Sequence, residues 1–187
     1  MSLVLGIDPG LTRCGVGVVR VDARRKCNLV HVEVIKTLPS EALTERIGAL
    51  GTRLEQIIIE HKPDVIALER VFAQANLRTV MGTAQISGVV LFLAQKHGLE
   101  VALHTPTEVK AAVSGSGRAD KRQVGAMVAR ILGLDAVPKP ADAADALAIA
   151  ITHGWRGQSA ISEGSNQTPA QRAWAQAERA AAKSQLR

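Results

Sequence analysis

Two apolar runs of strand length each close on an acid, and that repetition constrains the fold more than any other feature of the chain. LVLGIDPG carries its apolar run to Asp8 and then turns on Pro9-Gly10; DVIALE carries its run to Glu69. Between them, residues 41–61 place Leu43, Ile47, Leu50, Leu54 and Ile58 at helical spacing, and Lys62-Pro63 stops that helix. A strand, a helix and a strand in succession imply a parallel portion of sheet. If the two runs are neighbours in that sheet, Asp8 and Glu69 come together.

The remaining pattern fills out an α/β domain. Residues 3–8, about 14–21 and about 28–37 are β-branched stretches broken by Gly, Arg and Asp turns, and read as an antiparallel meander. After the strand at 64–69, residues 76–97 read as a second helix and 99–104 as a fifth short strand. Thr105-Pro106-Thr107-Glu108 is a capping box with proline at the first helical position, opening a helix to about Val113. A Gly-rich loop, SGSGR, follows, and Asp120 to Gln123 caps a helix to about Leu132. Pro138 and Pro140 introduce a last helix over 141–153. The order is βββαβαβααα, without internal repeat.

We read residues 1–156 as one domain, and 157–187, rich in Ala, Gln, Ser and Arg, as a flexible basic tail with a possible helix near 170–183. No run reaches the ~18 apolar residues of a membrane span, and the N-terminus lacks the basic n-region of a signal peptide. The two cysteines, Cys14 and Cys27, lack metal-type spacing. A reduced, cytoplasmic protein is the simplest reading. The net charge of +6 suits a polyanionic partner, while the near absence of aromatics argues against a broad base-stacking platform.

The chemistry rests on four acids. Asp142 and Asp145 lie three apart in PADAADALAIA, on one face of the last helix and roughly 5–6 Å apart at Cβ. Each acid has a plainer explanation: Asp8 as a turn former, Glu69 as a partner of Arg70, and the two helix aspartates as complements to the helix dipole. Yet Ala143, Ala144, Ala146 and Ala148 flank Asp145, and small residues let a helix approach a sheet closely. Four carboxylates at one point are unfavourable unless cations neutralise them, and oxygen ligands suit Mg²⁺ or Mn²⁺. Two such ions close together are the usual machinery for phosphodiester cleavage.

The segments LGIDPGLTRCG, IALERVF, VKAAVSGSGRADK and ADAADALAIAITH resemble the RuvC family of Holliday-junction resolvases, from about residue 3 to 154. The resemblance implies a ribonuclease H-like fold, with a five-stranded mixed sheet and helices on both faces. It implies a homodimer that cuts four-way DNA junctions symmetrically with two Mg²⁺ per active site, Mn²⁺ substituting, in recombination and repair. RuvA and RuvB, the branch-migration proteins, are the implied partners. Asp8, Glu69, Asp142 and Asp145 match the metal-binding catalytic positions. Lys110 and Lys121 match positions near the scissile phosphate. Phe72 matches the aromatic that stacks on an unpaired base, where a lone Phe would otherwise read as core. Asn76 and Arg78 are further candidate junction contacts.

The complete acidic set argues against a non-catalytic junction-binding scaffold, and two other readings remain. One is a YqgF-type ribonuclease H-like nuclease acting on RNA. The other is an ATP-binding module of the actin and heat-shock ATPase superfamily, whose phosphate loop LGIDPGLTRCG also resembles. That superfamily needs two such domains, and this chain has room for one. The helix at 76–97, apolar around much of its circumference, is the expected dimer contact. His104 is a candidate neighbour of the site, and Trp155 is expected to pack the last helix against the body.

Overall fold

The computed structural model describes residues 1–70 and 77–163, with side chains described for 1–70 and 80–156. Five strands are joined in the order β3-β2-β1-β4-β5: β1 (Ser2–Asp8), β2 (Arg13–Val21), β3 (Cys27–Lys36), β4 (Val65–Glu69) and β5 (Glu100–His104). β1–β2 and β2–β3 pair antiparallel, and β1–β4 and β4–β5 pair parallel. The helices are α1 (Leu43–His61), α2 (Leu77–Lys96), α3 (Pro106–Ser114), α4 (Lys121–Leu132) and α5 (Ala141–Glu163). This is the mixed five-stranded sheet with helices on both faces that the sequence leads one to expect.

Strand alternation assigns the faces. Leu5 and Ile7 of β1 and Ile66 and Leu68 of β4 pack with Leu50, Leu54 and Ile57 of α1 and Ile86 and Val90 of α2. Val4 of β1 and Val65 and Ala67 of β4 point to the other face, against Val109 of α3, Val124 and Val128 of α4 and Leu147 of α5. Two residues on from Val4 and Gly6, and from Val65 and Ala67, the same alternation aims Asp8 and Glu69 at the α5 face. The parallel register, Ile7 opposite Leu68, leaves the two acids at adjacent strand ends.

The floor beneath α5 is glycine. Gly6 lies opposite Gly17, and Asp8 lies opposite Gly15, in the β1–β2 ladder. A Cβ on Gly15 would collide with the backbone oxygen of Asp142, and one on Gly6 with that of Ala146. Here backbone touches backbone, so the first turns of α5 lie directly on the strands that carry Asp8.

Two details depart from the sequence reading, the buried stripe of α1 and the end of α5. The buried stripe of α1 is Arg46, Leu50, Leu54, Ile57 and Ile58; Leu43, expected inside, is exposed. The helix is rolled so that an arginine enters the stripe. Helix α5 continues to Glu163 rather than ending at 153, because Gly154 rests against Val21 and no proline follows until Pro169. The histidines form two ring pairs, His31 with His61 and His104 with His153. The expected Trp155 contact is present: Nε1 donates to the Arg25 carbonyl at 2.8 Å. One compact unit covers Met1–Trp155, with Arg156–Arg187 forming a second; the helix expected near 170–183 lies outside the described residues.

Candidate active site

A cavity of about 200 Å³ opens at the C-terminal ends of β1 and β4, lined by Asp8, Glu69, Lys110, Lys121 and Asp145, with Val109, Val124 and Ile149 as apolar walls. Each polar group arrives on a separate element. Asp8 and Glu69 end their strands, Asp145 comes from α5, Lys110 from α3 and Lys121 from the first residue of α4. Two caps hold the lysine-bearing helices. Thr105 Oγ1 accepts from the Glu108 backbone N–H at 3.2 Å, and Asp120 Oδ1 accepts from that of Gln123 at 2.7 Å.

Electrostatics sets the character of the cavity. Burial, and then the charges of Glu69, Asp145 and Asp142, push the Asp8 carboxyl up to about 7. Burial, and then Asp145, raise Glu69 as well. The lysine works the other way: Lys121 Nζ donates to Asp145 Oδ2 at 2.8 Å, and that hydrogen bond raises the lysine above its ordinary value.

Asp142 is placed differently from the expectation. It lies on the wall of the adjoining cleft rather than in the cavity, and its Oδ2 is 3.1 Å from Arg13 Nε. A three-residue step on a helix turns a side chain about 60° short of a full turn, and the exposed Arg13 draws this one outward. The four acids therefore converge without closing. Among the described residues no three acidic, histidine or cysteine side chains surround one point, with Lys121 and Arg13 each holding one carboxylate. The donor set still fits a hard divalent cation. It is all oxygen, and Asp8 is pushed towards neutrality by burial and then by its acidic neighbours, a strain that a cation relieves.

Of the other candidates, Lys110 lines the cavity. Phe72 and Asn76 lie outside the described residues; Arg78 falls in the first turn of α2, at a position whose side chain is not described. His104 is buried beside the site, its backbone opposite Glu69 and its Nε2 3.2 Å from His153 Nδ1. Sequence reasoning missed Arg13 and Arg46. The only signal for Arg46 was a cation recurring at the spacing of the apolar stripe in α1.

Comparison with known proteins agrees with this architecture. The family model described as crossover junction endodeoxyribonuclease RuvC matches residues 4–153. Curated relatives bearing that description include one from Clavibacter michiganensis subsp. michiganensis, 56% identical over 95% of this chain and 96% of the relative. Another, from Streptomyces griseus subsp. griseus, is 62% identical over 82% of this chain and 75% of the relative. Among solved structures, T. thermophilus RuvC in complex with Holliday junction substrate superposes with a TM-score of 0.81 at 38% identity, over 86% of this chain and 97% of that one. The yeast mitochondrial Holliday junction resolvase Ydc2, at 16% identity and TM-score 0.61 over 83% and 80% of the two chains, shares the fold.

Proposed function

The chain belongs to the RuvC family of crossover junction endodeoxyribonucleases, and from that premise we propose how its own residues perform the cut. The protein is an endodeoxyribonuclease that resolves four-way DNA junctions, a hydrolase of phosphodiester bonds using divalent metal. Finer assignments follow from the site. Asp8, Glu69, Asp145 and Asp142 hold the metal, two Mg²⁺ per site with Mn²⁺ able to replace them. Bound there, the ions supply Lewis-acid stabilisation of the phosphoryl oxygens and a water of lowered pKa as nucleophile.

The protein's part is positioning. Asp8 ends the central strand with its backbone paired to Gly15 of β2, so the sheet fixes where its side chain starts. Lys110 and Lys121 face the acids across the cavity and receive the scissile phosphate, offsetting charge as it builds on the phosphoryl oxygens. Val109, Val124 and Ile149 keep part of the wall dry, which strengthens every charge interaction inside. No side-chain nucleophile is needed.

Phe72 stacks on an unpaired base at the junction centre, with Asn76 and Arg78 contacting nearby strands. Two copies act together to make paired nicks, joined through α2, where Met81, Leu91 and Phe92 are exposed. The enzyme works in the cytoplasm on nucleoid DNA with RuvA and RuvB; no described helix is long and apolar enough to cross a membrane. The basic tail from 157 adds affinity for DNA at low salt.

The observation that carries the reading is the meeting of Asp8, Glu69 and Asp145 with two lysines in one cavity. The test compares Mg²⁺-dependent cleavage of a synthetic four-way junction with that of a linear duplex, a hairpin and an RNA–DNA hybrid. The junction should be cut far faster, at symmetric positions. Preferential cutting of the hybrid would return the protein to the RNA-directed ribonuclease H-like class.

A further inference from the structure

Arg46 is a buried cation without an acid. It is 9% exposed and lies in the first turn of α1. Its Nε donates to Thr37 Oγ1 and its Nη2 to Thr12 Oγ1, both at 2.9 Å, and Thr37 in turn donates to the Leu11 carbonyl at 2.6 Å. Among the described residues no carboxylate lies within ion-pair distance of it, and Nη1 has no protein partner. Two neutral hydroxyls do not compensate a buried guanidinium, and the N-terminal end of a helix dipole opposes a positive charge. An anion would relieve both.

Space for one is present. Arg46 lines an open cleft of about 650 Å³, with Arg13, Thr12 and Gly82 on its walls. Asp142 forms the side shared with the carboxylate cluster, and Arg13 covers that acid, so the negative wall is already neutralised. Gly82 lies against Leu11, which brings the backbone of α2 close to the loop after Asp8.

We propose that this cleft is a phosphate subsite, in which Arg46 and Arg13 grip a backbone phosphate of the DNA strand beside the scissile position. The proposal rests on the junction-cutting reading above. Arg46 is the preorganised half, its fork fixed by Thr12 and Thr37. Arg13 is the exposed half; it would turn from Asp142 to the phosphate, and the carboxylate so released would be available to a divalent cation. The pair would hold the strand in register with the cavity, a positioning role separate from bond cleavage.

The test uses the full-length protein and an intact four-way junction in Ca²⁺, titrated across salt from about 50 to about 300 mM. Arg46→Met keeps the aliphatic stem and removes the fork. Its log affinity should fall with log salt by a slope about 0.9 shallower than wild type, one phosphate's share. Junctions carrying a single neutral methylphosphonate near the cut site give a second reading. One position should weaken wild-type binding by about tenfold and leave Arg46→Met unaffected, about the discrimination of one charged contact. If the methionine variant fails to fold, Arg46→Lys is read instead; its ammonium keeps the charge without the bidentate geometry, so the penalty at that position should shrink while the others stay. An unchanged salt slope, or a methylphosphonate profile identical in variant and wild type, overturns the proposal and leaves Arg46 as a strut between α1 and β2. Failure of wild type itself to prefer the junction would instead overturn the underlying functional reading.

Discussion

Lys121 Nζ stands 2.8 Å from Asp145 Oδ2, so an ammonium from the first residue of α4 lies inside a cluster of acids from three other elements. It lowers the Asp8 carboxyl that burial and then the neighbouring acids raise, and it is itself raised by its hydrogen bond to Asp145. A lysine at a helix N-terminus opposes the dipole. Here that cost is offset by the carboxylate, and the same ammonium is within reach of any phosphate entering the cavity. Arg13 stands in the same relation to Asp142. Two of the four acids, Asp145 and Asp142, are thus paired with cations that also suit a phosphate.

Asp8→Asn should abolish Mg²⁺-dependent cleavage while keeping junction binding at wild-type strength or above. The carboxamide removes a metal ligand and a charge that repels DNA. Nicking assays alongside gel-shift titrations check this; substantial residual nicking would contradict the assignment of Asp8.

The raised Asp8 carboxyl also affects stability. Without metal, the folded protein keeps a proton there that the unfolded chain releases from about pH 4 upward, so this contribution is full below the unfolded value of 3.8 and is lost as pH rises through about 7. Asp8→Asn escapes that loss. In chelator the variant should match wild type near about pH 4 and exceed it near about pH 8 by an amount on the order of 1–4 kcal/mol. Parallel stability curves for the two proteins across that range would show that Asp8 titrates normally.

Metal binding should compete with the same proton. The Mg²⁺ concentration that half-maximally raises the melting temperature, measured without DNA, should increase as pH falls below about 7. Lys121→Gln removes a charge that lowers Asp8, so its Mg²⁺ protection should appear at a more alkaline pH. A midpoint independent of pH would separate Asp8 from the metal.

Two glycine substitutions should act in opposite directions. Gly15→Ala forces a methyl into the Asp142 backbone, so α5 must lift; a loss on the order of 1–3 kcal/mol and a disproportionate loss of cleavage should result. Gly48→Ala, on the exposed side of α1 with open space around it, should gain about 0.5–1 kcal/mol and leave cleavage unchanged. Thermal melts beside nicking rates read both. Equal tolerance at the two positions would mean that α5 does not rest on Gly15.

If two copies join through α2 as proposed, Phe92→Glu should shift the sedimentation profile from dimer towards monomer without lowering the melting temperature of the monomer. Phe92 is 66% exposed, so its replacement disturbs little of the core. An unchanged sedimentation profile would move the dimer contact off this face of α2.

The period of two along the strands was readable in the chain. Val4, Gly6 and Asp8, like Val65, Ala67 and Glu69, alternate with apolar partners that face the other way, so the strand acids share one face whatever the loops do. The helical spacing of Asp142 and Asp145 and the alanines around them were equally visible, as were the capping boxes at Thr105 and Asp120. These are local properties: backbone periodicity and short-range hydrogen bonds act within a few residues. The roll of α1, the outward turn of Asp142 to Arg13, the Lys121–Asp145 pair and the burial of Arg46 were not visible there. Lys121 and Asp145 are 24 residues apart, and Arg46 and Thr12 are 34 apart. Long charged side chains choose partners by reach and desolvation in the assembled sheet and helices, and only the tertiary structure sets that reach. The amino-acid sequence determined that acids would gather at one end of a mixed sheet; the packing of α5 on a glycine floor decided how closely, and which cations stand among them.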